Sequence, residues 1–173
     1  MQFVALGIVV VLLVMLVAAV KVVRPGTVAV VERSGRFQRL AQPGVLVMLP
    51  FVDRIRAHVT NQPQVLIMPS RPLATSDGGW VTAPTTVRFA VADPVRATYE
   101  IASPALALEQ LVMTGLRQVV RAFTTYAALI GRAEIERRLA AVLADPASKW
   151  GIRIEDIELG EVDRAEAPLA PDA

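Results

Sequence analysis

The sequence predicts an α+β fold, in which an N-terminal transmembrane helix precedes a domain of antiparallel strands, packed helices and a closing strand. Three observations lead to this prediction. An uncharged apolar run occupies residues 3–20, and short β-branched or alternating stretches follow between residues 27 and 91. From residue 108 to residue 143 the apolar residues recur every three or four positions, which is the helical period.

The first element is the apolar run from Phe3 to Val20, eighteen residues without a charge or a proline. At about 1.5 Å per residue it covers roughly 27 Å, and continuing to residue 23 brings it to about 30 Å, the thickness of a hydrocarbon core. A cleaved signal peptide is the alternative, because residues 17–19 resemble a cleavage site, but no basic segment precedes the run. We therefore expect a retained anchor over residues 1–23, with membrane-embedded side chains at Phe3, Leu12, Leu13, Leu16 and Val20.

The charges beside the run predict its orientation. Seven basic and two acidic residues lie between Lys21 and Arg56, whereas the last stretch, from Glu155 onward, has seven acidic residues and one basic residue. Because basic flanks stay on the cytoplasmic side, we expect a single-pass protein of the inner (plasma) membrane with its C-terminal domain in the cytoplasm. The same cations are expected to attract anionic headgroups. The predicted membrane-surface contacts are Lys21, Arg24, Arg33, Arg36, Arg39 and Phe51.

Strands are predicted next along the chain. Residues 27–31 form a β-branched run, residues 36–40 alternate weakly, and apolar stretches cover 45–49 and 59–68. The segment from Val45 to Val52 leaves two interpretations open, a buried core strand or a piece of chain that dips into the membrane interface. A further strand is predicted within residues 80–91, where Val87, Phe89 and Val91 share one face and Arg88 takes the other.

Two helices follow the strands. Asp93-Pro94 ends the strand region and has the form of an N-cap followed by a first-turn proline, as does Ser103-Pro104 before the first long helix. The second helix has an inward face at Ile135, Leu139, Val142 and Leu143, and it is predicted to end near Asp145-Pro146.

A closing strand and a tail complete the predicted domain. Ile152, Ile154, Ile157, Leu159 and Val162 alternate with a slip at Glu155-Asp156, which predicts a β-bulge. The domain is expected to end at residue 163, and residues 164–173 are expected to form a disordered tail.

The composition excludes most site chemistry. The chain has no cysteine, which excludes disulfides, thiolate catalysis and palmitoylation, and its single histidine, His58, lies in an alternating stretch flanked by arginines. No phosphate-binding glycine loop or serine nucleophile motif is present. The formal charge of +2 gives no basic excess for nucleic acid. We therefore expect no enzymatic activity, no cofactor and no metal; a membrane-tethered hydrolase is the least favoured reading.

The order of these elements resembles the stomatin/prohibitin/flotillin family, also called the SPFH or band 7 domain. The similarity covers about residues 22 to 163, and position 115 departs from it, with a glycine at a core helix position where members commonly have threonine. The motifs that carry the resemblance are Pro25-Gly26, Glu32-Arg33, Gly35-Arg36-Phe37, Pro43-Gly44, Leu49-Pro50-Phe51, Asp93-Pro94, Thr114 to Arg117, Arg132 to Ile135 and Trp150-Gly151-Ile152.

The resemblance implies a non-catalytic, membrane-anchored scaffold that organises membrane proteins or lipids. It also implies that the SPFH domain mediates homo-oligomers at the lipid bilayer, with a membrane protease or an NfeD-type membrane protein as possible partners. A stoichiometric regulatory subunit of a membrane protease or channel is the alternative. Residues 164–168 are too few for the coiled coil that many members carry, so we expect a short bacterial-type member without one.

Overall fold

The computed structural model describes Met15, Val17, residues 19–49 and residues 52–167. The chain divides into two compact units, Met1–Gln62 and Pro63–Ala173. Both contain antiparallel sheets, and the helices described below belong to the second unit. The predicted α+β class with antiparallel strands, packed helices and a closing strand is confirmed.

Within its described residues the first unit contains five strands: β1 (Val20–Val23), β2 (Thr27–Arg33), β3 (Arg36–Ala41), β4 (Gly44–Val47) and β5 (Asp53–Thr60). A three-stranded sheet has the order β3-β2-β5, and a second sheet pairs β1 with β4. The strands expected near residues 27–31, 36–40 and 45–49 are therefore present as β2, β3 and β4.

The core of the first unit is small because few of its strand positions are buried. A tight two-residue turn at Ser34 and Gly35, both with positive φ (52° and 78°), connects β2 to β3. The buried apolar cluster is Val23, Ala29, Val31, Ala41, Leu46 and Met48.

The start of the chain differs from the predicted anchor. Val20–Val23 form β1 instead of the last turn of a helix, in register with β4 through Val20↔Val47 and Val22↔Val45. Valine stiffens the chain toward extended conformations, and pairing with β4 satisfies the backbone of these residues. Met15, Val17 and Ala19 have helical backbone, but no helix within the described residues is both long and apolar enough to cross a bilayer. Phe3, Leu12, Leu13 and Leu16 lie outside the described residues.

The second unit is built on two three-stranded sheets with the orders β10-β9-β6 and β11-β8-β7. Phe89 and Val87 of β9 are buried and Arg88 is exposed, as the alternation predicted. The register of β10 against β9 shifts between Ile154 and Asp156, which confirms the predicted bulge. The strands are β6 (Gln64–Met68), β7 (Leu73–Ala74), β8 (Trp80–Thr82), β9 (Thr85–Val91), β10 (Ile152–Leu159) and β11 (Asp163–Arg164).

Four helices pack in this unit: α1 (Pro94–Tyr99), α2 (Pro104–Val120), α3 (Thr125–Ile130) and α4 (Arg132–Lys149). Asp93 caps α1 as predicted, because its Oδ1 accepts hydrogen bonds from the N–H groups of Val95 and Arg96. Ser103 occupies the N-cap position of α2 without a side-chain cap bond.

The predicted end of α4 at Asp145-Pro146 is wrong. The helix continues through Pro146 to Lys149. Only one intrahelical bond is lost at a proline in the last turn, and burial of Ala147 in the core favours the continued helix.

The short helix α3 was not predicted, and side chains distant in sequence hold its start. Asp77, in the turn before β8, accepts hydrogen bonds from the N–H and Oγ1 of Thr125 (3.0 and 2.8 Å) and from Oγ1 of Thr75 (2.6 Å). These bonds, with the one from Thr75 the strongest cause, hold the pKa of Asp77 far below its usual range.

The first residues of the expected tail, 164 and 165, are paired with β8. Arg164 lies in β11, paired with Val81, and the N–H of Ala165 donates to the carbonyl oxygen of Trp80 at 2.9 Å. Backbone pairing with β8, which is far away in the sequence, thus orders a segment whose alanine-rich sequence carries no strand pattern.

Candidate functional site

One side of the β1–β4 sheet carries exposed apolar side chains, and we call this set the outer face. Its members are Val20, Val22, Val45, Val47 and, just beyond β4, Leu49. Val22 and Val45 oppose each other in the register and are 71% and 74% exposed. Apolar side chains gathered in this way mark an interaction surface, because scattered exposure would not align them on one side of a sheet.

Strand alternation explains why the outer face exists. Successive side chains of a strand point to opposite sides, so Val23 and Leu46 enter the core while their neighbours point outward. Of the two interpretations left open for residues 45–52, the buried core strand is wrong for Val45, Val47 and Leu49 and holds for Leu46 and Met48.

The buried carboxylate of Asp53 binds Arg33, one of the predicted membrane-surface contacts. The side chain of Asp53 is 2% exposed, and its two oxygens accept from Nε and Nη2 of Arg33 at 2.7 and 3.2 Å. The N–H of Leu49 donates to the same carboxylate at 3.0 Å. The hydrogen bond from Arg33, followed by that from Leu49, lowers the pKa of Asp53, while burial opposes the shift.

Arg39 is hydrogen-bonded to the backbone of Val47, a residue of the outer face. Its Nη2 donates to the carbonyl oxygen of Val47 at 2.8 Å, so a β3 side chain reaches the end of β4. Arg33 and Arg39 line one cavity of about 290 Å³, together with Gln38, Asp53 and the outer-face residues Val47 and Leu49. The structure thus brings two of the predicted contact residues together beside the apolar surface.

The other predicted contact residues are placed differently. Lys21 pairs with Leu46 and lies on the side of the sheet opposite the outer face, while Arg24 lies in the turn before β2. Arg36 is exposed at the start of β3, and Phe51 lies outside the described residues. Sequence reasoning missed Asp53 and Gln38, which carry no motif; only the fold places them beside the arginines.

The second unit has a groove of about 750 Å³ between α4 and β10. Three of its polar side chains already serve the fold: Asp93 caps α1, Oε1 of Glu136 accepts from the N–H of Leu159 at 2.9 Å, and Oγ of Ser148 donates to the carbonyl oxygen of Asp145 at 2.8 Å. His58 is exposed on β5, in the first unit. Among the described residues, no group of three potential metal ligands occurs.

The family assignment rests on a profile match over most of the chain. The model of the SPFH domain / Band 7 family matches residues 21–167, which include β1 from Lys21 onward, β2 to β11 and helices α1 to α4. The chain belongs to the SPFH domain / Band 7 family. The resemblance drawn from the motifs is confirmed.

Individual relatives are between about a quarter and a third identical to this chain over the aligned residues. An uncharacterized protein of Mycobacterium tuberculosis is 36% identical over 135 residues, covering 78% of this chain and 35% of the relative. An uncharacterized protein of Methanothermobacter thermautotrophicus is 31% identical over 156 residues, covering 90% and 49%. Human "Stomatin-like protein 2, mitochondrial" is 27% identical over 133 residues, covering 77% and 37%. The chain therefore spans less than half the length of these relatives.

Proposed function

We propose that this SPFH domain is a membrane-associated scaffold whose first unit rests on the bilayer through the outer face. The single observation that carries the proposal is the alignment of exposed apolar side chains on one side of the β1–β4 sheet. In this role the protein gathers lipids or proteins beside it and transforms none of them.

Transfer of the outer face into the membrane interface is energetically favourable. Burying a largely exposed valine or leucine stabilises by about 1 to 2 kcal/mol, and five such side chains act together. The backbone N–H and C=O groups on the facing edges of β1 and β4 pair with each other, so only the outward edges of this two-stranded sheet need partners among water and headgroups at the interface.

The flanking sequence supports the same position. The uncharged run of residues 3–20 ends at Val20, the first residue of β1. In the proposed arrangement the part of the run before β1 holds the domain at the inner (plasma) membrane as a single-pass anchor, with the domain in the cytoplasm. This places the start of β1 at the bilayer surface, where the outer face begins.

The absence of cysteine permits a direct test of the proposal. A single cysteine introduced by Val45→Cys, labelled with the environment-sensitive dye NBD, reports on the outer face of the full chain in phosphatidylcholine vesicles. We expect blue-shifted emission and strong quenching by brominated lipid. Ile67→Cys is the matched control, because Ile67 is an equally exposed apolar strand residue (75% against 74%) in the second unit. Equal, water-like emission from both positions would contradict the proposal.

A further inference from the structure

The cavity beside the outer face has the features of a ligand site. Its volume of about 290 Å³ is at the lower end of the range for small-ligand sites. Arginine side chains form part of its wall, and apolar side chains of Val47 and Leu49 form the part that continues into the outer face. A molecule with a small anionic group and long apolar chains would match both parts.

The contacts among the described residues leave hydrogen-bond donors free on both arginines. A guanidinium carries five N–H groups, and the structure uses one group of Arg39, on the Val47 carbonyl, and two of Arg33, on Asp53. The bond to Val47 and the fork to Asp53 hold both planes in place, so the remaining donors are already oriented. Oriented guanidinium groups favour phosphate, because its oxygens accept parallel charge-assisted hydrogen bonds.

The charge of the cavity selects the class of phosphate. Arg33 and Arg39 contribute two positive charges and Asp53 one negative charge, which leaves a net charge of +1. Asp53 remains ionised at neutral pH, since its pKa is lowered by Arg33 and Leu49. A phosphodiester with one negative charge neutralises this site, whereas a zwitterionic phosphocholine headgroup brings an additional cation toward the arginines.

We propose that the cavity lined by Arg33 and Arg39 binds the phosphodiester of an anionic phospholipid, whose acyl chains lie along the outer face. This inference rests on the proposed function, and it adds a lipid preference that contact through the apolar side chains alone would not produce. Arg39 is the main determinant of this preference. Among the described residues that line the cavity, Asp53 is the one carboxylate, and it is bonded to Arg33 instead of Arg39.

Native mass spectrometry of the full chain in mild detergent tests the proposal. Phosphatidylglycerol is titrated against phosphatidylcholine with the same acyl chains, and the fraction of lipid-bound protein is measured. We expect about a tenfold preference for phosphatidylglycerol, the size of one charge-assisted interaction, and its loss in Arg39→Gln. Arg39→Lys should keep part of the preference, because it retains the charge and loses the planar fork.

Arg36→Gln is the matched control, since Arg36 is an exposed arginine of the same strand that does not line the cavity. It should leave the preference unchanged. An equal loss in Arg36→Gln would indicate unspecific surface charge and overturn the proposal. Binding of inorganic phosphate with the same dependence on Arg39 would identify a site for soluble phosphate, which would also overturn it. Circular dichroism confirms that each variant is folded.

The two proposals fail in different ways. If the NBD probe at Val45 is buried in the bilayer but phosphatidylglycerol is not preferred, the outer face binds membranes and the cavity does not select lipids. If phosphatidylglycerol is preferred in detergent while the NBD probe remains in water, the arginine site exists and the membrane contact of the outer face is wrong.

Discussion

At the scale of single residues, Arg33, Arg36 and Arg39 show what a sequence can and cannot assign. All three cations follow the apolar run closely, and flanking charge alone treats them as equivalent headgroup contacts. In the structure the three arginines have different surroundings. Arg33 binds Asp53, twenty positions further along the chain, and Arg39 of β3 donates to the carbonyl oxygen of Val47 in β4. Such partners depend on strand register, which local patterns do not specify.

The buried Asp53 carboxylate predicts a pH-dependent contribution to stability. Its pKa is lowered in the folded state, so the contribution is complete above the ordinary aspartate pKa of about 3.9 and is lost as the pH falls through the lower, folded value. We expect Asp53→Asn to lower the melting temperature at pH 7, and we expect the difference from wild type to narrow at pH 3. Thermal unfolding in mild detergent measures both.

Asp163→Asn is the control for this titration, because Asp163 is exposed in β11 and has no counterpart of the Arg33 fork. It should leave the melting temperature close to wild type at both pH values. If Asp53→Asn lowers the melting temperature by the same amount at pH 7 and pH 3, the charge of the Asp53 carboxylate does not contribute to stability.

At the scale of elements, the helices and strands that the sequence predicts are those whose hydrophobic period repeats several times. The 3–4 repeat from Leu108 to Val120 and the alternation of β9 each sample one buried face several times, so both were identified. The helix α3 has six residues, too few to repeat a face, and it depends on Asp77 in another element. The end of α4 was predicted too early, at Pro146, because proline breaks helices. Burial of Ala147 outweighs this local signal, and the helix continues.

The contact between α2 and α4 depends on Gly115. A Cβ atom at this position would lie 3.0 Å from methyl carbons of both Leu139 and Leu143, which are fully buried. We expect Gly115→Val to destabilise the protein by about 2 kcal/mol, because overpacking exceeds the gain in helix propensity of at most about 0.5 kcal/mol. Denaturant unfolding of the full chain in detergent measures the change.

Gln118→Val provides the comparison, since Gln118 is exposed in the same helix and receives the same β-branched residue. Its cost should not exceed about 0.5 kcal/mol. If Gly115→Val destabilises the protein no more than Gln118→Val does, the approach of α4 does not restrict the side chain at position 115.

At the scale of the whole molecule, the sequence was interpreted as a single SPFH domain over residues 24–163, whereas the chain divides between Gln62 and Pro63. Motif order identifies the family but does not report how contacts are distributed. Among the described residues the two cores differ in size: six buried residues form the cluster of the first unit, and twenty-one form that of the second. Burial of apolar area provides most of the stability of a folded unit, so the smaller core predicts the less stable unit.

Hydrogen exchange measured by mass spectrometry on the full chain in detergent tests this difference. The comparison is between β2 and β9, because each is the central strand of a three-stranded antiparallel sheet and each has seven residues. We expect the amides of β2 to exchange at least about tenfold faster, which corresponds to about 1.4 kcal/mol of opening free energy. Equal protection of β2 and β9 would contradict the prediction that the unit with the smaller core is the less stable one.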